Sequence, residues 1–461
     1  MSHKMWTRLF FVVTLLVFLV NSYQVSCETA DTVVVESIPP EVNTEAELLI
    51  DENLLGDENE PRSYRGAQLW RLSYKDQQFK SAVSELQKTY KTSIWNIQMA
   101  NSSNSYVDLF VKPAVVDDAK EFLRKVQVPF NVIMDDVQDA IDNENPPLEE
   151  TDLWQNRDGH PMTWTAYHNL EDILQYMDFL AKSYPNLCSV KTIGRSLENR
   201  PIKVLRISNG DPSNKAVWID AGIHAREWIS PAAVTYVIDH LVANWDSETL
   251  DVKAIDWYIL PVMNPDGYAY THKGDRLWRK NRRRHINRLC NGVDLNRNYG
   301  HKWGGQGASR QPCSETFAGS SAFSEPETKS VNDFLKKSGA NFKASLSFHS
   351  YGQYILYPWG YDRKVPADHQ DLDRVAREAA AAIKNVEGKV YTVGPAGSTL
   401  YPAAGGSDDW AKGDLKLKYS YTIELRDEGR YGFMLPANQI IASGEESLAF
   451  ARVLARNLVN A

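Results

Sequence analysis

A chain of 461 residues with a net charge of −8, 43% hydrophobic and 24% charged residues, has room for two or three domains that each bury a core. The composition is that of an ordinary globular protein, and no basic stretch interleaved with base-stacking aromatics points to nucleic acid. The charge is uneven: residues 1–157 hold 14 basic and 25 acidic residues, a net of −11, and the remainder stands at +3.

Lys4 and Arg8 precede an apolar run from Leu9 to Val20, and polar and small residues such as Ser26 follow. This is the layout of a secretory signal peptide over residues 1–27, with a run too short to span a bilayer comfortably. No later stretch is apolar enough to cross a membrane, so a secreted, soluble protein is expected. Residues 28–62 form an acidic leader: Glu28 to Glu60 contains eleven acidic residues and no basic one, a composition that favours disorder.

Order is expected from about Tyr64. Gln68 to Tyr74, Ile94 to Met99, Tyr106 to Val111 and Phe130 to Met134 read as strands, and Asp76 to Lys88 and Val116 to Val126 as helices. The order βαββαβ is that of a small ferredoxin-like domain. Asn101-Ser102-Ser103 is a glycosylation sequon between its middle strands. Residues 135–163, polar and acidic with Pro146, Pro147 and Pro161, have linker composition, and Arg157 offers a trypsin-like enzyme a cutting point there.

The remaining residues alternate strands and helices. Strands are predicted at Ser189 to Ile193, Lys203 to Ser208, Ala216 to Ala221, Asp256 to Val262, Ser345 to His349 and Tyr419 to Leu425. Helices are predicted at Asn169 to Ser183, Ile229 to Trp245, Glu325 to Ser338, Asp368 to Lys384 and Pro436 to Val459. One α/β domain with a mixed sheet is the economical outcome. Export permits a disulfide. Cys27 is expected to leave with the signal peptide or to sit at its cleavage site; of the other three cysteines, Cys290 and Cys313 are paired here and Cys188 is left a buried thiol, although sequence does not fix the connectivity.

The chemistry concentrates around Ala221-Gly222-Ile223-His224-Ala225-Arg226-Glu227-Trp228, which follows a short apolar run. Gly222 ends that run in a turn, so His224 and Glu227 project from a strand's carboxyl end, where open α/β sheets keep their sites. A catalytic zinc uses three protein ligands and keeps a fourth position open. His349, closing a second apolar strand, completes a His, Glu, His set. Each residue alone also reads as a hydrogen-bonded core histidine or half of an ion pair. Trp278-Arg279-Lys280-Asn281-Arg282 and Asp294-Leu295-Asn296-Arg297-Asn298 gather guanidinium and amide groups able to grip a carboxylate. Glu424 breaks an apolar strand pattern, as a general base beside a metal, or a buried ion pair, would.

His-x-x-Glu, an Arg pair, Asn-Arg, His-Ser-Tyr, Tyr401 and Glu424 within Ile-Glu-Leu-Arg, in that order, resemble the zinc metallocarboxypeptidases of the pancreatic carboxypeptidase A/B group. The resemblance runs from the signal peptide to the last helix. It implies a mixed-sheet α/β catalytic domain (158–461) with helices on both faces. A ferredoxin-like α+β propeptide (63–137) would cap it, joined by a connecting segment (138–157) cut after Arg157. It implies one zinc ion per chain on His224, Glu227 and His349, with Glu424 as general base and Arg282 steadying the oxyanion. Asn296, Arg297 and Tyr401 would hold the substrate's terminal carboxylate, and Arg226, Arg279, Ser350, Tyr351 and Phe433 would line neighbouring subsites. In the family's B type the position of Asp408 is Asp, which would pair with a terminal Lys or Arg. Small Ala396 and Gly397 agree with a long basic side chain. The expected partners are peptide and protein carboxyl termini and an activating trypsin-like protease, and a monomer is expected. A-type preference for apolar or aromatic ends, and a protein of this fold that binds peptides without cleaving them, are the other readings. The acidic leader departs from the family's pattern.

Overall fold

The computed structural model describes residues 61–73, 77–98, 106–145, 159–285 and 290–460. The signal peptide, the acidic leader up to residue 60, the sequon at Asn101 and the proposed cut at Arg157 lie outside the described residues.

The first sheet is built from β1 (Gln68–Ser73), β2 (Ser93–Gln98), β3 (Tyr106–Val111) and β4 (Phe130–Met134), in the antiparallel order β2-β3-β1-β4. Side chains alternate across a strand, and here both faces are apolar. Trp70 and Leu72 of β1 and Val107, Leu109 and Val111 of β3 face the helices Gln77–Thr89 and Val116–Lys125, meeting Val83, Leu86, Ala119 and Leu123. Leu69 and Phe110 point the other way and join Tyr64, Met134, Leu277, Tyr351, Phe433 and Met434. An antiparallel sheet with a solvated face would carry polar residues there; this one is apolar because the second domain covers it. The segment read as linker from residue 135 instead opens with a helix, Val137–Glu144, whose N-cap Asp136 accepts a hydrogen bond from the Gln138 amide at 2.9 Å. Its acidic residues lie mostly on the solvent side, and Val137 and Glu144 are buried. Composition registered the charge and missed the amphipathic spacing.

The second sheet has eight strands: β5 (Cys188–Arg195), β6 (Pro201–Ile207), β7 (Lys215–Ala221), β8 (Ile255–Leu260), β9 (Phe342–Ser350), β10 (Tyr354–Tyr357), β11 (Thr392–Pro395) and β12 (Tyr419–Leu425). Their order is β11-β10-β12-β9-β7-β8-β6-β5. β12, β9, β7 and β8 run parallel, whereas β10, β6 and β5 join antiparallel. Helices Leu170–Ser183, Ile229–Ala243, His369–Glu387 and Ile440–Val459 pack one face through Val217, Ile219 and Leu346, while Trp218, Leu260 and Trp410 build the core of the other. The central strands read as continuous apolar runs because both faces are covered.

This topology positions the site. β7 and β9 are parallel neighbours with Ala221 opposite Phe348, and β12 places Glu424 opposite His349. Their carboxyl ends therefore open at the same edge, at the centre of the sheet. Gly222 takes a left-handed conformation (φ +64°) in the turn after β7, and a Cβ there would come within 3.0 Å of Pro231.

Candidate metal centre and substrate cleft

Two strand ends, the turn after β7 and the end of β9, bring His224, Glu227 and His349 together in the buried interior, with one donor atom from each lying within 4.8 Å of the other two. His224 Nδ1 is 2.7 Å from Glu227 Oε1, and His349 Nδ1 is 3.1 Å from Glu227 Oε2 and 3.2 Å from His224 Nδ1. Both imidazoles thus turn Nδ1 toward a common centre and Nε2 outward. Each outward nitrogen meets an oxygen: His224 Nε2 lies 3.2 Å from Asp294 Oδ1, and His349 Nε2 lies 3.3 Å from Ser347 Oγ. An acceptor behind a ring keeps the proton on Nε2 and leaves the Nδ1 lone pair for a cation. Two imidazoles and one carboxylate, buried and backed in this way, are the donor set of a zinc site that keeps a position open.

The three side chains lie close enough to shift one another's proton affinities. Burial alone would push the Glu227 carboxyl up, but the two imidazoles outweigh it and hold it below the usual carboxylate range. For His349 burial favours the neutral ring, yet Glu227 and Glu424 prevail and raise it to about 9. Burial pushes Glu424 up to about 7; His349 and Arg279 oppose that shift and Glu227 reinforces it. A carboxyl group held there can both accept and return a proton near neutrality.

Asp294 is the residue that sequence reading missed. Besides His224 it accepts from Arg279 (Nη2 to Oδ2, 2.9 Å) and from the Asn296 amide (3.0 Å), so one buried carboxylate joins the metal centre to the guanidinium cluster. The sequence shows an Asp two residues before an Asn-Arg pair, but nothing local marks it as buried against a histidine. Arg297 is held by backbone carbonyls, Nε on Gly307 O and Nη1 on Asn296 O, each at 2.9 Å. Asn296 Oδ1 accepts from the Ser407 amide at 2.9 Å, which ties it to the loop carrying Asp408. Gly405 (φ +80°) lets that loop approach: a Cβ there would sit 2.4 Å from Arg297 O.

Asp408 is buried, and among the described residues no cation pairs with it. Its neighbour Asp409 is used structurally, accepting from the Gly360 and Tyr361 amides at 2.7 Å. Tyr401 is 45% exposed and sits in an irregular stretch between two short helices. Arg282 rests its guanidinium 3.6 Å above the Tyr270 ring, and the Trp278 ring lies 4.6 Å away. Arg226 lies over Phe433 at 4.3 Å and has a buried Nε without a partner. The Ser350 amide donates to Glu227 at 3.2 Å, leaving the Ser350 hydroxyl unpaired. Cys290 and Cys313 are bonded as expected, with Cys188 a buried free thiol.

The first domain closes over this cleft. Tyr351 donates to Asp108 of β3 at 3.3 Å, and Arg71 of β1 donates to both Asp108 oxygens (2.7 and 2.8 Å). Trp95 packs on Phe433 with ring centroids 5.2 Å apart. At the end of helix Val137–Glu144, Arg276 forms a bidentate pair with Glu144 and also donates to the Arg226 and Phe433 carbonyls at 2.8 and 2.9 Å.

Residues 173–450 match the model of the zinc carboxypeptidases, and residues 70–144 match that of the carboxypeptidase activation peptide. The chain belongs to the zinc carboxypeptidase family. This carboxypeptidase is 48% identical over 297 residues to carboxypeptidase B of Astacus astacus, a match covering 64% of this chain and 97% of that one. It is 40% identical over 388 residues to carboxypeptidase A4 of Mus musculus, covering 83% and 91%. Among solved structures it is similar to thrombin-activatable fibrinolysis inhibitor, with a TM-score of 0.78 and 36% identity over 86% of this chain and 100% of that one. The carboxypeptidase is thus a peptide hydrolase of zymogen architecture, its activation peptide being the domain that covers the cleft. Among the described residues no helix is long and apolar enough to cross a membrane.

Proposed function

We propose that this chain is the secreted proenzyme of a B-type carboxypeptidase, which removes a carboxyl-terminal Lys or Arg once its activation peptide has been cut off after Arg157 by a trypsin-like protease. The observation that carries the reading of specificity is Asp408, a buried carboxylate that forms no ion pair among the described residues and lies beside the Asn296–Arg297 cluster. A buried lone carboxylate is costly, and a lysine or arginine side chain entering the cleft would relieve that cost.

His224, Glu227 and His349 would hold one zinc ion. When bound, zinc supplies Lewis-acid polarisation of water and of the scissile carbonyl. Glu424 takes the proton of the attacking water and hands it to the leaving amine. Arg282 swings off the Tyr270 ring to donate to the oxyanion, and Arg297, Asn296 and Tyr401 grip the terminal carboxylate. Arg226, Arg279, Ser350, Tyr351 and Phe433 border the path of the preceding residues. A carboxylate anchor one residue beyond the bond restricts cleavage to chain ends. The protein acts as a monomer.

Steady-state hydrolysis of paired peptides ending in Arg and in Phe by the trypsin-activated enzyme tests the specificity. The wild type should favour Arg, and Asp408→Ala should lower kcat/KM for the Arg peptide by about 10²–10³-fold, the cost of stranding a charge, with little loss on Phe. Wild-type preference for Phe would contradict B-type specificity and support the A type.

A further inference from the structure

The chain His349, Ser347, Asp220, Trp218 beneath the metal centre has a direction imposed by its two ends. Trp218 Nε1 can only donate, and it reaches Asp220 Oδ2 at 2.8 Å. Ser347 Oγ lies 2.7 Å from Asp220 Oδ1 and donates its only proton there. That leaves the Ser347 oxygen as an acceptor toward His349 Nε2 at 3.3 Å. Proton placement therefore runs one way: indole to carboxylate, hydroxyl to carboxylate, imidazole Nε2 to hydroxyl. The imidazole is left with its free lone pair on Nδ1, the atom facing Glu227 and His224. Trp218, Asp220, Ser347 and His349 are all buried, and Asp220 forms no ion pair among the described residues. Its cost is unexplained by charge pairing.

We propose that Asp220 is a positioning residue for the metal centre, acting through Ser347 to fix the tautomer and orientation of His349. It thus serves the second histidine as Asp294 serves the first. The proposal rests on the reading of His224, Glu227 and His349 as zinc ligands. It goes beyond that reading by assigning a function to a carboxylate four residues before His224 that touches neither ion nor substrate. The two supports differ in kind: Asp294 touches its imidazole directly, whereas Asp220 is one hydroxyl removed, at the strand β7 side of β9.

The logic predicts what an amide would do. In Asp220→Asn the side-chain oxygen must face the donor-only Trp218, which turns the NH₂ toward Ser347. The Ser347 hydroxyl then accepts from Asn and donates to His349 Nε2, moving the ring proton to Nδ1, the wrong nitrogen for a metal. Removing the indole donor releases the constraint, because the amide can then flip.

The test is zinc affinity of the full proenzyme, measured by chelator competition with metal content as the readout, for wild type, D220N, W218F, W218F/D220N and S347A. Losing such a support weakens metal binding by about 10–100-fold. D220N and S347A should fall in that range, W218F should stay near the wild type, and W218F/D220N should recover most of the D220N loss. An unchanged zinc constant in D220N and S347A overturns the proposal, as does a D220N loss that W218F fails to rescue. If D220N does not fold, S347A alone decides, since it breaks the same link and leaves Asp220 and Trp218 in place. Failure of the underlying ligand reading is distinguishable, because then the wild type itself and a His349→Ala variant would hold zinc equally.

Discussion

Replacing Glu424 by glutamine is expected to slow hydrolysis of a carboxyl-terminal peptide bond by at least 10²–10⁴-fold, the usual contribution of a positioned general base, while zinc content and peptide affinity stay close to wild type. The residue lies opposite His349 across the β12–β9 pair, at the strand end that opens on the metal centre. Among the described residues no hydrogen bond ties its carboxylate to a cation, whereas Glu227 is held by both imidazoles. On the proposed mechanism the two carboxylates divide the work: Glu227, held below the usual carboxylate range by both imidazoles, would serve as a ligand, and Glu424, pushed up to about 7 by burial, would exchange a proton. Single-turnover assays on an activated sample, paired with equilibrium binding of an uncleavable peptide, separate the two roles. Equal losses in turnover and binding would make Glu424 a structural residue.

The second large effect is expected at the junction of the two domains. Glu144→Ala should weaken docking of the activation peptide by about 3 kcal/mol, the lower end of what breaking a buried ion pair costs. Arg276 keeps its two carbonyl acceptors and its place 3.8 Å over the Trp228 ring, which is why the lower end applies. Burial pushes the Glu144 carboxyl up and Arg276 offsets only part of that, so the penalty comes from stranding a guanidinium. The proenzyme should show premature activity before any cut and a lower Tm. A mature enzyme cut after Arg157, as proposed, lacks Glu144 and should be identical to wild type. An unchanged Tm and no premature activity would show that the apolar contacts of Trp95, Phe110 and Met134 carry the docking by themselves.

Much of the fold was legible because its signals are local. The runs at Ala216 to Ala221, Asp256 to Val262 and Tyr419 to Leu425 are buried on both faces and look continuous in sequence, so their strands fall within a residue or two of prediction. Strands β10 and β11 were missed because four residues each are too few for a period to show, and their pairing depends on β12 and on each other. The helix Val137–Glu144 was hidden by its acidic composition. At the site, His224 and Glu227 were found from one turn and His349 from its strand end. Asp294 and Asp220 were not, because their roles exist only once 70 residues of intervening chain, or a partner strand, bring a histidine or a serine against them. The apolar underside of the first sheet was not read from the sequence either, because only the second domain packed on it explains it.

On the proposed reading, two imidazoles and a carboxylate share one zinc ion. Metal content of the full proenzyme, determined by elemental analysis after dialysis against a weak chelator, tests it directly. About one zinc per chain in the wild type, lost in both His224→Ala and His349→Ala while the apo forms remain folded, is the predicted result; a wild type that retains no zinc, or variants that retain it undiminished, would contradict the account.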